Sequence, residues 1–185
     1  IILGLDVATS VVGVCVVDSV VEPDYKGSHI MFLDRIEFKK CKTLWEKADV
    51  VAEYLDDVIR GSFEDSRLTV GICPDRVVLE EPLMGFRPGM SSALTISTLM
   101  RFNGIVSYIA RTRYHCEPEY VGSAHARKLC VIKLQRTATG GPQKEQVFAH
   151  MKANDLKHVV WPLKKNGKEE DWSRDACDAY VIARS

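Results

Sequence analysis

The stretch Ile1-Ile-Leu-Gly-Leu-Asp-Val-Ala-Thr-Ser-Val-Val-Gly-Val-Cys-Val-Val-Asp18 decides how the rest of the chain is read. Two runs of β-branched and apolar residues flank the short polar break Ala8-Thr9-Ser10, the pattern of two antiparallel strands joined by a tight turn. The first run is apolar at successive positions, as a strand covered by helices on both faces would be. Asp6 interrupts it where the run meets the turn. A carboxylate at that depth is costly unless a cation compensates it. Two readings follow: an Asp that shapes the turn by accepting from backbone amides, or a metal ligand at a strand end with partners elsewhere in the chain.

A second carboxylate arrives the same way. Arg76-Val-Val-Leu-Glu80 is a short apolar strand ending in Glu80 and Glu81, with Pro82 behind them. If the strand alternates and Leu79 faces away, Glu80 is favoured over Glu81 as the functional acid, being the last residue of the apolar run. A third element, Trp172-Ser-Arg-Asp-Ala-Cys-Asp-Ala-Tyr-Val-Ile-Ala183, reads as a helix capped at Ser173. Asp175 and Asp178 are three apart and share one face, while Ala176, Ala179 and Ala183 keep the helix slim enough to lie close on a sheet. Two acids near a helix start also suit its dipole. If all four acids converged, their repulsion would call for divalent cations, and oxygen-only ligation suits Mg²⁺ or Mn²⁺. Such two-ion sites serve phosphodiester hydrolysis.

The remaining elements frame these acids. His29–Phe38 continues the strand pattern into a three-stranded meander. Thr43 opens an amphipathic helix that ends at Gly61 and carries Leu44, Ala48, Val51, Leu55 and Val58 inward, with Trp45 expected in the core. Leu83–Met90 is a Gly- and Pro-containing loop. Ser91 caps a long helix to about Arg113, with Leu94, Ile96, Leu99, Met100, Ile105, Val106 and Ile109 as its apolar set and with Ser97 and Gly104 allowing close packing. Glu117–Val121 is a short strand, and Ser123 caps a short helix. A linker over 133–141 leads to a helix from Pro142 to about Leu156 with Val147, Phe148 and Met151 inward.

At 185 residues and 46% hydrophobic content the chain suits a single globular domain spanning 1–185. Net charge is zero, yet the charge is unevenly spread. Between Gly122 and Lys165 nine Lys/Arg face two acids, whereas the first 121 residues hold thirteen bases and eighteen acids. A basic segment on an acidic body is a candidate polyanion-binding face. The six cysteines form no C-x-x-C pair, which argues against a zinc site or a disulfide framework and for a reducing compartment. The histidines lack metal-ligand spacing. No 18-residue apolar run and no signal-peptide pattern is present, so neither a membrane span nor secretion is expected.

The strand ending in Leu5-Asp6 with its Gly13-Val14 hairpin partner, followed by Val78-Leu79-Glu80-Glu81 and then by Arg174-Asp-Ala-Cys-Asp-Ala179, resembles the RuvC-type Holliday junction resolvases of the RNase H-like superfamily. The resemblance implies an α/β fold: a mixed five-stranded sheet, three antiparallel N-terminal strands followed by parallel ones, flanked by helices. It implies a homodimeric, Mg²⁺-dependent endonuclease, with Mn²⁺ able to substitute, that makes paired nicks in four-way DNA junctions. Asp6, Glu80, Asp175 and Asp178 match the catalytic, metal-holding tetrad, and Lys144 matches the active-site lysine. Lys128, in Arg127-Lys128-Leu129, is similar to a second basic residue that supports DNA binding; Arg127, Arg136 and Arg87 are further candidate DNA contacts of the chain itself. Phe86 falls where the family places an aromatic wedge, at a longer interval from the second acid than usual. Such an enzyme would work in the cytoplasm of a bacterium or phage-infected host, or in an organelle. The competing readings are another RNase H-like nuclease, acting on RNA–DNA hybrids or flaps; an actin- or sugar-kinase-like ATPase domain, whose phosphate-binding hairpin Leu5–Gly13 also resembles; and a catalytically silent DNA-binding scaffold.

Overall fold

A computed structural model describes residues 1–19, 29–62, 70–82 and 92–185. Five strands form one sheet: β1 (Ile2–Val7), β2 (Val11–Asp18), β3 (His29–Glu37), β4 (Arg76–Glu80) and β5 (Glu119–Val121). Their spatial order is β3-β2-β1-β4-β5. β1–β2 and β2–β3 are antiparallel, while β4 is parallel to both β1 and β5. The expected mixed α/β sheet is therefore present, with β1 at its centre.

Strand alternation divides the molecule into two cores. Leu3, Leu5 and Val7 of β1, Val12, Val14 and Val16 of β2, and Val77 and Leu79 of β4 point to one face. Two helices cover it: α1 (Leu44–Arg60) through Val51, Leu55 and Val58, and α2 (Ala93–Tyr114) through Phe102, Val106, Ala110 and Tyr114. On the opposite face Ile2, Cys15, Val17 and Val78 meet α5 (Gln143–Ala153) and α6 (Trp172–Ala183), with α3 (Ser123–Leu129) alongside. A one-turn helix, α4 (Thr137–Gly140), interrupts the segment expected to be an irregular linker.

α6 lies directly on the sheet because two glycines make room for it. A β-carbon on Gly4 would overlap the Ala179 carbonyl oxygen and stand 2.7 Å from the Ala183 methyl, and one on Gly13 would overlap the Asp175 carbonyl oxygen. The alanines of α6 supply the other half of this fit, fully buried at Ala176 and Ala179.

α1 behaves as its sequence requires, with Thr43 and Glu46 forming a capping box and Gly61 ending the helix in the left-handed region. Trp45, expected in the core, is instead 72% exposed. It lies one residue outside the stripe that Ala48, Val51 and Leu55 define. α2 differs more. Ser92, not Ser91, is its cap, and Ser91 lies outside the described residues. Leu94 and Met100 are exposed, as are Ser97 and Gly104, whose missing side chain faces open space. The buried face is set by Phe102, Asn103, Val106 and Ser107, a stripe that includes two polar residues and so escapes a search for apolar periodicity. α3 is capped by Gly122 rather than Ser123, and α6 starts after Asp171, leaving Ser173 wholly buried instead of capping. α5 ends at Ala153, short of Leu156, although Val147, Phe148 and Met151 point inward as expected.

Gly13→Ala tests the close approach of α6. The added methyl collides with backbone rather than with a flexible side chain, so we expect a loss of about 2–3 kcal/mol in urea-monitored unfolding. Gly104→Ala serves as the control, and because it meets nothing and improves helix propensity it should stabilise by up to ~1 kcal/mol.

Candidate active site

Alternation along β1 and β4 decides which acids meet. With Leu5 and Leu79 side by side in the opposite core, Asp6 and Glu80 are neighbours on the α6 face. Asp6 also sits opposite Gly13, whose bare backbone touches α6 at Asp175. One helical turn on, Asp178 comes within electrostatic range of Asp6. Glu81 points the other way: it is exposed, and its amide donates to the Val121 carbonyl at 2.8 Å. Glu80, not Glu81, is the acid brought to Asp6.

The consequence is a carboxylate cluster in a poorly solvated place. Burial pushes the Asp6 carboxyl well above the usual carboxylate range, and the charges of Asp178 and Glu80, with a hydrogen bond shared with Glu80, push it further. Asp178 is raised to about 6, chiefly by burial; Lys144 and Arg127 oppose the rise. Lys144, from the first turn of α5, reaches into the cluster. Its ammonium donates to Asp175 Oδ1 at 2.5 Å and lies 3.5 Å from Asp178 Oδ2. Desolvation lowers its affinity for the proton, but Asp175, Asp178 and Asp6 more than offset this, so its pKa is raised and it stays charged.

Asp6, Glu80 and Asp178, whose charges act on one another, and Asp175, bonded to Lys144, are oxygen donors of the kind a Mg²⁺- or Mn²⁺-type site uses. Among the described residues no three His, Cys, Asp or Glu side chains are drawn together at ligand spacing around one point. Lys144 instead supplies the counter-charge, on the α6 side of the cluster.

Several positioning roles gave no sequence signal. Arg174 donates to both Glu145 oxygens at 3.0 Å, stacks on Phe148 with its guanidinium carbon 4.6 Å from the ring centre, and donates to the Glu170 carbonyl at 3.2 Å. This pair is the rung beside Lys144–Asp175, so two adjacent bridges tie α5 to α6. Buried Asn103 of α2 donates to the Glu80 carbonyl at 3.1 Å, fixing the end of β4. Lys47 of α1 donates to the Thr9 carbonyl at 2.6 Å, pinning the turn after Asp6. Only the resulting contacts, between residues remote in sequence, identify these three.

The expected DNA contacts divide into three groups. Arg127 is half-buried and close enough to Asp178 to hold its carboxyl down electrostatically. Lys128 and Arg136 are exposed, away from the acids' hydrogen-bond network. Phe86 and Arg87 lie outside the described residues. All six cysteines are free, and no helix among the described residues is long and apolar enough to cross a membrane.

Asp178 has a consequence for stability. Its carboxyl binds a proton more tightly in the folded chain than in the unfolded one, so this contribution is fully present below pH 3.8 and is lost as pH rises through about 6. At about 1.4 kcal/mol per pH unit the loss approaches ~3 kcal/mol by pH 7.5. In EDTA, the wild-type protein should therefore be more stable at pH 5 than at pH 7.5, beyond the behaviour of Asp178→Asn. That variant should unfold at higher urea at pH 7.5 with a flatter pH profile; identical profiles would show that the cluster carries no such cost.

No protein-family model matches the chain, and no curated protein matches it in sequence. Among solved structures it is similar to Thermus thermophilus RuvC in complex with a Holliday junction substrate, at 13% identity and a TM-score of 0.61, with 99% of this chain and 89% of that one covered. It is also similar to a second Thermus thermophilus RuvC structure, at 17% identity and a TM-score of 0.58, covering 99% and 90%. At these identities the likeness is one of fold, and the fold of this chain is that of RuvC, of the RNase H-like type, along essentially its whole length.

Proposed function

We propose that this protein is a divalent-metal-dependent endonuclease that resolves four-way DNA junctions, acting as a homodimer that nicks two strands. The observation that carries the reading is the convergence of Asp6, Glu80 and Asp178 on the centre of the sheet with the Lys144 ammonium beside them. A buried acid cluster of this kind has a stability cost and no structural purpose that apolar residues would not serve better.

In this reading Asp6, Glu80, Asp175 and Asp178 would hold Mg²⁺ or Mn²⁺, which when bound would activate a water and stabilise the leaving 3′ oxygen. The chain's own residues do the rest. Lys144 exchanges its bond to Asp175 for a non-bridging oxygen of the scissile phosphate, where its fixed charge favours the transition state. The Arg174–Glu145 rung keeps α5 in register with α6 during that exchange, holding the ammonium within reach. Arg127, Lys128 and Arg136 meet flanking phosphates, which fix position but not sequence. Arg87 and Phe86, outside the described residues, are proposed contacts on the strength of the sequence alone.

Each chain carries one such site, so paired nicks require two copies. The surface between α1 and α2 supports pairing: Trp45, Leu44, Ala52, Ile105, Tyr108 and Ile109 line an open apolar groove of about 990 Å³. An open apolar groove between two helices is a candidate contact surface for a second copy of the chain. Trp45→Glu with Tyr108→Glu should convert a dimer to a monomer in sedimentation velocity, and a unit stoichiometry in wild type would remove this support.

Cleavage of a synthetic four-way junction is the direct test, with linear duplex, RNA–DNA hybrid and flap as controls. We expect Mg²⁺-dependent paired nicks, abolished by EDTA. Asp6→Asn and Asp178→Asn should each lose at least ~100-fold in rate, and Lys144→Ala a similar amount. Undiminished cleavage by both acid variants would refute the site, and preference for the hybrid would assign the other nuclease class.

A further inference from the structure

Beside the acid cluster, between α3 and the start of α5, lies a second cavity of about 590 Å³. Its rim is basic, with Arg127, Lys128 and Lys133, while Val131 and Leu134 give it an apolar wall and Gln143 closes the side nearest Lys144. Arg127 joins the two sites, since its guanidinium donates to Gln143 Oε1 at 3.5 Å and sits in electrostatic range of Asp178.

The backbone of this wall is unusual. Val131 has φ +58°, in the left-handed region, and its side chain is 69% exposed. A β-branched residue is a true outlier there, and the sequence could relieve the strain with glycine. The amides of Val131 and Ile132, donating to the Lys128 and Arg127 carbonyls at 3.1 and 2.9 Å, hold the turn in place. The left-handed turn is the C-terminal cap of α3, which glycine would serve without strain, so folding explains the turn but not the isopropyl group that faces water there. A role for that group in binding does, because strain of this kind persists at sites where a side chain must be presented.

We infer that this cavity receives one unstacked nucleobase next to the scissile phosphate, clamped between Val131 and Leu134, with Gln143 at its edge and Arg127, Lys128 and Lys133 on its phosphates. The volume is that of a small-ligand pocket. Apolar walls accept the faces of an extruded base, the Gln143 amide offers both a donor and an acceptor to a base edge, and the three cations match the backbone on either side. The pocket would thus make cleavage depend on the base at one position, a property that phosphate contacts alone do not give. The inference rests on the nuclease reading, and it adds the determinant of sequence preference.

The test uses four-way junctions carrying 2-aminopurine singly at each of the positions flanking the cut. Fluorescence is read on binding to the Asp6→Asn protein, which holds the substrate uncleaved, and anisotropy reports binding itself. One position should brighten several-fold, and adding Val131→Gly or Leu134→Ala should abolish that signal. In the wild-type background, junctions varied at that position should differ about 5-fold or more in cleavage rate, falling to within 2-fold in Val131→Gly. Val131→Gly should also melt at the same or a higher temperature than wild type, which separates loss of the wall from loss of the fold. Binding and cleavage without any position-specific brightening would overturn the pocket and leave the nuclease reading intact. So would an undiminished base preference in Val131→Gly. Brightening at one position without cleavage of any substrate would do the reverse, keeping the pocket and refuting the enzyme.

Discussion

The approach of α6 to the central strands is the constraint on which the site depends. A helix normally rides on a sheet at a distance set by side chains from both layers. Here Gly4 and Gly13 remove one layer and Ala176, Ala179 and Ala183 thin the other, so helix backbone rests on strand backbone. This contact brings carboxylates on a helix to carboxylates on strands. Any side chain at Gly13 would lift Asp175 and Asp178 away from Asp6. The same contact excludes water from the cluster, and burial is the largest reason that Asp6 and Asp178 hold their protons so firmly.

A site built this way needs a rigid surround, because like charges placed together push apart. The surround comes from both cores. On the α1/α2 side, fully buried Leu5 and Leu79 lock the parity of β1 and β4, Lys47 holds the turn beyond Asp6, and Asn103 ties down the end of β4. On the α5/α6 side two parallel bridges, Lys144–Asp175 and Glu145–Arg174, join neighbouring residues of the two helices. The second is bidentate and stacked on Phe148, so it can hold the helices together when the first is given up to another anion. The division assigns rigidity to Arg174 and mobility of contact to Lys144.

The sheet was legible because its evidence is local. The β-branched runs of β1 and β2, the alternation that puts Leu79 and Glu80 on opposite faces, and the small residues of α6 each carry their meaning within a few positions. So does the acid set, once strand ends and an i,i+3 pair are considered together. What escaped reading is set by tertiary contact. Trp45 has the spacing of a core residue and sits outside it, and α2 buries Asn103 and Ser107 where apolar periodicity favours Leu99 and Ile105. Ser123 and Ser173 are good caps by residue type, but Gly122 and Asp171 occupy those positions. Arg174, read as part of a motif, turned out to have a job of its own because Glu145 and Phe148 lie across from it in the fold.

Two departures from economical folding remain, and they lie on either side of Arg127. One is the acid cluster, whose charges oppose its own burial; the other is Val131, held in a conformation its side chain disfavours. Sequences tend to keep such local conflicts where function requires them and to relax them elsewhere. Arg127 connects the pair physically, moderating Asp178 on one side and donating to Gln143 on the wall of the neighbouring cavity on the other. A ligand that engaged Arg127 would therefore be felt by the acids without any change of backbone, through charge alone. Chemistry at the cluster and recognition in the cavity would then be two parts of one surface, joined at a single guanidinium.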